Sequence, residues 1–474
     1  MKADLESNSA TRTHLPPQQA KASSSPARLP ERSPPTGISV LIVGGGVAGL
    51  LTGLECWRDV LTIGTSAVRA LQRWPDMADE NERISYEMWV SWHKINGDLI
   101  SGPGPFRPNP APKIDGAEDH DSEQTARIYR HSRPNLHKML ADQVERAGLT
   151  VEYGKHVLKY CEDSHASKAT VILENNDKVE ADVVVAADGI GTRARPTGFS
   201  IYRALLPIDQ ALVDPVIEEK FPLLENGMPC TQLWMGEDVY ALFGRTKDDM
   251  IWYLTYPNRG SSIESWSNWV EPEVVLQTTA TINGWPDFAN RLIKMTSKDQ
   301  IHDFKLMWRE PQPCWVSPAG RVVQVGDAAH SFLPSSGNGA TQGMEDAVSL
   351  AACLRIAGKE NVPWATRVHN KLRFERVSCL QLLGILNHEM RNRSANASAS
   401  QTKPIGILGS WIWKHDPEQY AIENYEKALA NLTSGVEFVN TNIPPGHVCR
   451  PWTIDEVLKA KETGKEVVLD GDWD

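Results

Sequence analysis

The stretch Ile38-Ser-Val-Leu-Ile-Val-Gly44-Gly-Gly46-Val-Ala-Gly49 decides the fold. Its first half is a continuous, largely β-branched apolar run, the mark of a strand covered on both faces of a parallel sheet. A glycine cluster follows at once, and the pattern then turns helical over Val47 to Arg58. Gly44 permits the tight turn, Gly46 lets backbone approach a pyrophosphate, and Gly49 allows close helix–strand packing. The helix N-terminus faces the anion with its unsatisfied N–H groups. Glycines at this spacing between a strand and a helix predict a dinucleotide-binding unit. The bland alternative is a glycine-rich turn that holds nothing.

Two more buried strands lie further along the chain. Ala181 to Ala187 ends in Asp188-Gly189, and Arg321 to Val325 ends in Gly326-Asp327. The second continues as Gly326-Asp-Ala-Ala-His330, then Pro334, then Gly337-Asn-Gly339-Ala340, and opens a helix over Ala340 to Ala357. The strand delivers the Asp327 carboxylate where a ribose hydroxyl can donate to it. The N-terminus of the following helix carries roughly half a positive charge directed at the same place. Gly358 suits the left-handed cap of that helix, and Ala365 to Glu389 reads as another. His330 reads as structural. Between these blocks, Gly198 to Val316 alternates polar and apolar residues and holds seven tryptophans from Trp234 to Trp315. That texture predicts antiparallel sheet with a few helices. The tryptophans read first as core, and otherwise as an aromatic wall for a flat substrate.

Composition narrows the function. A chain of 474 residues suggests two or three domains. Its net charge of -11 disfavours nucleic acid or an anionic membrane as partner. The seven cysteines are scattered without CxxC spacing, which suits a reducing compartment and neither a disulfide framework nor a metal site. Residues 1–37 are rich in Ser, Pro, Ala and Gln without an apolar core, which predicts a disordered tail rather than a signal peptide. The longest later apolar run, Pro404 to Trp413, is half of what a transmembrane segment requires. The expected location is cytoplasmic, and oligomeric state is left open.

The three motifs, taken in order, resemble the group A FAD monooxygenases, most nearly the salicylate hydroxylase-like enzymes of fungi, over Ile38 to Glu389. The resemblance implies an α/β fold with a Rossmann-type FAD-binding domain (para-hydroxybenzoate hydroxylase-like) and an inserted antiparallel-sheet substrate domain. The corresponding division is 38–197 with 318–390 for FAD, 198–317 for substrate, and a C-terminal extension over 391–474. By resemblance, Gly44, Gly46 and Gly49 contact the ADP part of FAD. Asp188-Gly189 serves FAD and the nicotinamide nucleotide, and Gly326-Asp327 the ribityl and ribose region. Pro334, Gly337, Gly339 and Ala340 lie beside the isoalloxazine. Arg133, in His131-Ser-Arg-Pro-Asn-Leu-His-Lys-Met-Leu140, matches an arginine that contacts FAD from a helix start. Arg203, in Phe199-Ser-Ile-Tyr-Arg-Ala-Leu205, matches an active-site arginine of some fungal members, with a structural ion pair as the alternative. The implied reaction is hydroxylation of an aromatic or indole-like small molecule with O2 and NADPH or NADH, in secondary metabolism or aromatic catabolism. The cofactor performs the difficult step and the protein positions substrate and excludes water, so neither a catalytic triad nor a metal is needed.

One feature departs from the family. A second strand ending in an acidic, ribose-binding residue should follow the first helix, about 20 residues beyond the glycines. Here the helix reaches Arg58 and the chain passes directly to Asp59-Val-Leu-Thr-Ile, too short an interval for both strands of a βαβ unit. Glu55 and Asp59 do not stand at a strand end. A few tens of residues are therefore expected to be absent between Arg58 and Asp59, with weak FAD binding as the consequence. Two other readings stand beside the hydroxylase. One is a flavin halogenase or another FAD oxidoreductase, faintly suggested by Trp411-Ile-Trp413. The other is an inactive remnant that keeps the outline of the fold.

Overall fold

The computed structural model describes residues 29, 34–55, 66, 74–85, 89–106, 131, 133–163, 167–189, 195–246, 248–258, 268–333, 336–393, 409–463, 465, 467 and 469–473. The apolar run at the start forms β1 (Val40–Val43), which passes through the glycine turn into α1 (Val47–Glu55). After α2 (Pro75–Ile84) come β2 (Trp89–Lys94), β3 (Leu99–Pro105) and α3 (Arg133–Arg146). The chain continues through β4 (Val157–Asp163), β5 (Lys168–Leu173), β6 (Lys178–Ala181) and β7 (Val183–Ala186). A second block runs through β8 (Arg195–Pro207), β9 (Cys230–Gly236), β10 (Val239–Arg245) and β11 (Asp249–Pro257). It closes with α4 (Pro272–Thr279), α5 (Asp287–Met295) and β12 (Ile301–Trp308). Then follow β13 (Val322–Gln324), α6 (Gly339–Ala357), α7 (Val362–Arg393), α8 (Pro417–Ser434) and α9 (Ile454–Glu462).

Among the described residues the strands form three sheets. The first is parallel, in the order β1-β7-β13. These are the three buried runs read from the sequence, and Val183, Val184 and Val185 at its centre are wholly buried. The edge strand β1 is covered only in part along all four residues. The second sheet has seven strands, β12-β8-β11-β10-β9-β2-β3, and is antiparallel except where β2 runs beside β9. Residues 89–105 therefore belong to this sheet, whereas the sequence reading left them within 38–197. Sheet membership here depends on a pairing across some 140 residues (Trp89 with Cys230), which local alternation does not encode.

Alternation along the seven-stranded sheet sends Tyr202, Ala204, Leu206, Trp234, Ala241, Phe243, Trp252 and Leu254 to one face, against α4 and α5. Most tryptophans of this block are core, as their bland reading had it. Gly358 ends α6 with φ 66°, and its N–H caps Leu354 O. The α8 start is built from Asp416, whose carboxylate accepts from the Glu418 and Gln419 N–H groups, with Pro417 following.

Candidate active site

The glycine turn is fixed by two close approaches. Gly44 has φ 119°, and a Cβ built there would lie 2.2 Å from Ala187 O, next to Asp188. A Cβ on Gly49 would fall 1.9 Å from Gly44 O, so α1 can begin here only with glycine. At Gly45 and Gly46 the same construction meets nothing within 4 Å, which leaves an open cradle at the N-terminus of α1, and Gly337, before α6, is equally open. The Gly326-Asp327 turn packs on α1 as well: a Cβ on Gly326 would be 2.7 Å from Ala48 Cβ, and Gly343 of α6 sits against the same methyl. The first glycines, the Asp188-Gly189 pair, the Gly326-Asp327 turn and the start of α6 thus meet around the ends of β1, β7 and β13.

Most of the predicted residues can be placed. Asp188 and Asp327 are exposed. Gly189 and Gly337 take positive φ at 87° and 66°. Gly339 and Ala340 are the first residues of α6, and a Cβ on Gly339 would stand 3.9 Å from Asp327 Oδ1. Arg133 is the first residue of α3, although its side chain, like Pro334 and the Arg58–Asp59 junction, lies outside the described residues. One turn on, His137 Nε2 is 2.8 Å from Gly45 O, which ties α3 to the cradle.

Sequence reasoning missed several supports. Tyr160 donates to Asp188 Oδ2 at 2.6 Å, and burial together with that carboxylate pushes the phenol's pKa well up, so it stays a donor. The buried Arg309 donates to Asp327 O and Ala328 O at 3.1 and 2.7 Å and fixes the turn. Asp346, fully buried on α6, accepts from the Gly326 N–H at 2.9 Å and lies 2.6 Å from His330 Nε2. Arg373 bonds both Asp346 and Glu345, and Arg376 bonds Glu345. Burial raises both carboxyls, but Arg376 and Arg373 around Glu345, and His330 and Arg373 around Asp346, outweigh it and hold both well below the usual carboxylate range. His330 is buried and held against Asp346. Of these, His137 and His330 stood inside quoted motifs, and Glu345 and Asp346 within the helix read from Ala340 to Ala357; nothing local marks Arg309.

Arg203 lies on the other face of the seven-stranded sheet. Across β9, β10, β11, β8 and β12 its row reads Leu233, Leu242, Tyr253, Arg203 and His302. The next row holds Met235, Tyr240, Thr255, Ile201 and Phe304. Directly paired residues share a face, so this one carries a cation among aromatic and aliphatic side chains. Helix α7 borders it: His388 meets Phe199 at 5.3 Å and Tyr240 at 6.1 Å between ring centres. One turn earlier, a Cβ on Gly384 would be 3.0 Å from Ser336 Cβ in the glycine turn before α6. One helix therefore joins the Arg203 face to the cofactor turn. No group of three His, Cys, Asp or Glu residues among the described residues is arranged for a metal ion, and no helix there is long and apolar enough to cross a membrane.

A parallel sheet with this turn, joined to a large antiparallel sheet, defines a dinucleotide-binding oxidoreductase, and comparison with known proteins gives the particular family. The model of the FAD binding domain family matches residues 72–363. The FAD-dependent monooxygenase fsr3 of Gibberella fujikuroi is 38% identical over 93% of this chain and 90% of its own. The FAD-dependent monooxygenase mdpD of Emericella nidulans is 37% identical over 94% and 92%. The crystal structure of FqzB superposes with a TM-score of 0.73 at 26% identity, covering 88% of this chain and 99% of that one. A salicylate hydroxylase substrate complex, at 23% identity and a TM-score of 0.62, shares the fold. The chain belongs to the FAD-dependent monooxygenases. Its cofactor is FAD, and these relatives do not favour the halogenase reading.

Proposed function

We propose that the protein hydroxylates an aromatic or indole-like small molecule using O2 and NADPH or NADH. The observation that carries this reading is the placement of Arg203 on an apolar sheet face that α7 joins to the glycine turn before α6. When bound, FAD would supply the redox chemistry with the nicotinamide and with O2. The Gly44–Gly49 turn and the N-terminus of α1 would hold its pyrophosphate, and Asp327 would accept from its ribityl hydroxyls. The first turn of α6 lends positive potential to the ring edge. Arg203 holds an oxygen of the substrate by charge-assisted donation and keeps an electron-rich carbon turned toward the ring. Leu233, Leu242, Tyr253 and Ile201 provide the dry wall. Asp188, steadied by Tyr160, stands at the mouth for the nicotinamide nucleotide. The test is turnover of a panel of phenols and indoles with FAD, NAD(P)H and isotopically labelled O2. One labelled oxygen atom in a product supports the reading. Halogenated product in the presence of halide, or nicotinamide oxidation that no aromatic stimulates, would overturn it.

We further infer that a segment is absent between Arg58 and Asp59 and that it is the ribose-binding strand. Two findings support this. The family match begins only at residue 72, beyond the glycine motif. The alignment with the Gibberella relative runs over 479 positions yet uses 93% of this 474-residue chain, so about forty positions are filled by the relative alone.

A further inference from the structure

Trp234, Trp252 and Trp308 of the seven-stranded sheet are buried, but Trp269, beside that sheet, is 52% exposed. Backbone pairing holds it in place. The Asp303 N–H donates to Asn268 O at 2.9 Å and the Val270 N–H to Ile301 O at 3.1 Å, so Trp269 pairs directly with His302 on the outer side of β12. Asn268 Nδ2 also donates to Asp303 O at 3.2 Å. Val270, the next residue, turns to the opposite face and packs on the cluster that α4 and α5 cover.

This pairing fixes the face that Trp269 presents. Directly opposed residues share a face, and His302 stands opposite Arg203. Trp269 therefore extends the Arg203 row by one position, which now reads Tyr253, Arg203, His302, Trp269. The indole meets the His302 ring at 5.3 Å between ring centres and at 81°. A perpendicular contact covers one face of an indole at most, and the exposure leaves the remainder open to a ligand. Neighbouring strands lie about 4.8 Å apart, so Trp269 stands about 10 Å along the row from Arg203. A single ring anchored at Arg203 falls short of it, and a fused second ring reaches it.

We propose that Trp269 is a specificity-determining residue, which stacks on the outer ring of a fused-ring aromatic whose oxygen Arg203 holds. The proposal rests on the reading of the Arg203 face as the substrate site. An indole prefers an offset or edge-on partner ring, and a flat aromatic laid along this row supplies one. Trp269 thus separates one-ring from fused-ring ligands, whereas Arg203 serves both.

The test is equilibrium dialysis of phenol and of 2-naphthol against the full-length protein, with saturating FAD and again without it, and with thermal melts of each variant. Trp269→Ala is expected to weaken 2-naphthol about tenfold, the loss of one aromatic contact. Trp269→Phe should keep it within about threefold of wild type, and phenol should change less than about twofold in both. Because the side chain is half open, both variants should melt like wild type. Arg203→Ala should weaken the two ligands alike. Loss of both ligands to the same degree in Trp269→Ala, or of neither, overturns the proposal while an effect of Arg203→Ala keeps the substrate face. An effect confined to 2-naphthol in Trp269→Ala, with none from Arg203→Ala, retains the Trp269 contact and removes Arg203 from the site. A wild-type protein that binds neither ligand overturns both.

Discussion

Gly49 and Arg203 show how unevenly single residues announce themselves. Gly49 was legible because its neighbour in space is its neighbour in sequence: Gly44 O stands 1.9 Å from where its Cβ would be. Gly49→Ala must move backbone, not a flexible side chain, and should cost about 3 kcal/mol. The expected readouts are a lower denaturant midpoint and loss of flavin on gel filtration; a variant that melts and retains FAD like wild type would show that α1 can shift at little cost. Arg203 was legible only through resemblance, since one arginine in an alternating strand has no local signature. The register supplied what the sequence lacked, Tyr253 and His302 on either side. Removing a charge-assisted bond to substrate costs about 1.5–3 kcal/mol. Arg203→Ala should therefore lower kcat/KM roughly 10- to 100-fold with FAD binding intact. Unchanged turnover would assign Arg203 to an ion pair of the sheet.

Helix α6 was predicted in its position, its glycine start and its Gly358 stop, but its buried charge was not. In the sequence, Glu345-Asp346 looks like an ordinary polar pair; Arg373 and Arg376, which neutralise it, come some thirty residues later on α7. Only packing of α6 on α7 turns four surface-like residues into an interior network. That network makes stability depend on pH in a calculable direction. Glu345 and Asp346 have folded-state values below the ordinary range, so their contribution is complete above about pH 4–5 and is lost as pH falls. His369, bonded to Ser349 and pushed by burial down to about 4, acts earlier. Between its ordinary value near 6.5 and about 4, the unfolded chain takes up a proton that the folded chain does not. Stability should fall by about 3 kcal/mol over that window. Thermal melts from pH 7 to 4 check the slope. His369→Gln should flatten it, and an equal slope in wild type and variant would place the titrating group elsewhere. Asp346→Asn leaves Arg373 half-paired and should cost about 3–5 kcal/mol at neutral pH.

At the scale of the whole molecule, the sequence carried the parallel core and the inserted antiparallel sheet, but not the early detour of β2 and β3 into that sheet. On the reading proposed above it also carries an omission, inferred because a dinucleotide unit has a minimum length. The described sheet is consistent with that reading: β1 stands at its edge with all four residues partly open, while β7, at the centre, is closed. Among the described residues β1 has no strand on its outer side, and an edge left open there would invite association. The omission and the intact motifs therefore make opposite demands on FAD. On the reading proposed above, the glycine cradle, Asp327 and the α6 N-terminus remain to hold the pyrophosphate and ribityl chain without the acidic partner of the adenosine ribose. A carboxylate accepting from ribose hydroxyls contributes about 1.5–3 kcal/mol. Inserting the segment that follows the first helix of the Gibberella relative between Arg58 and Asp59 should tighten FAD binding roughly 10- to 100-fold, raise the melting temperature without added flavin, and reduce self-association. Flavin fluorescence quenching, melts and light scattering read these separately. If the insertion leaves FAD affinity unchanged while the melting temperature rises, the segment is structural and another group holds the ribose. If neither changes, the chain closes its sheet without the segment, and the discontinuity carries no functional weight.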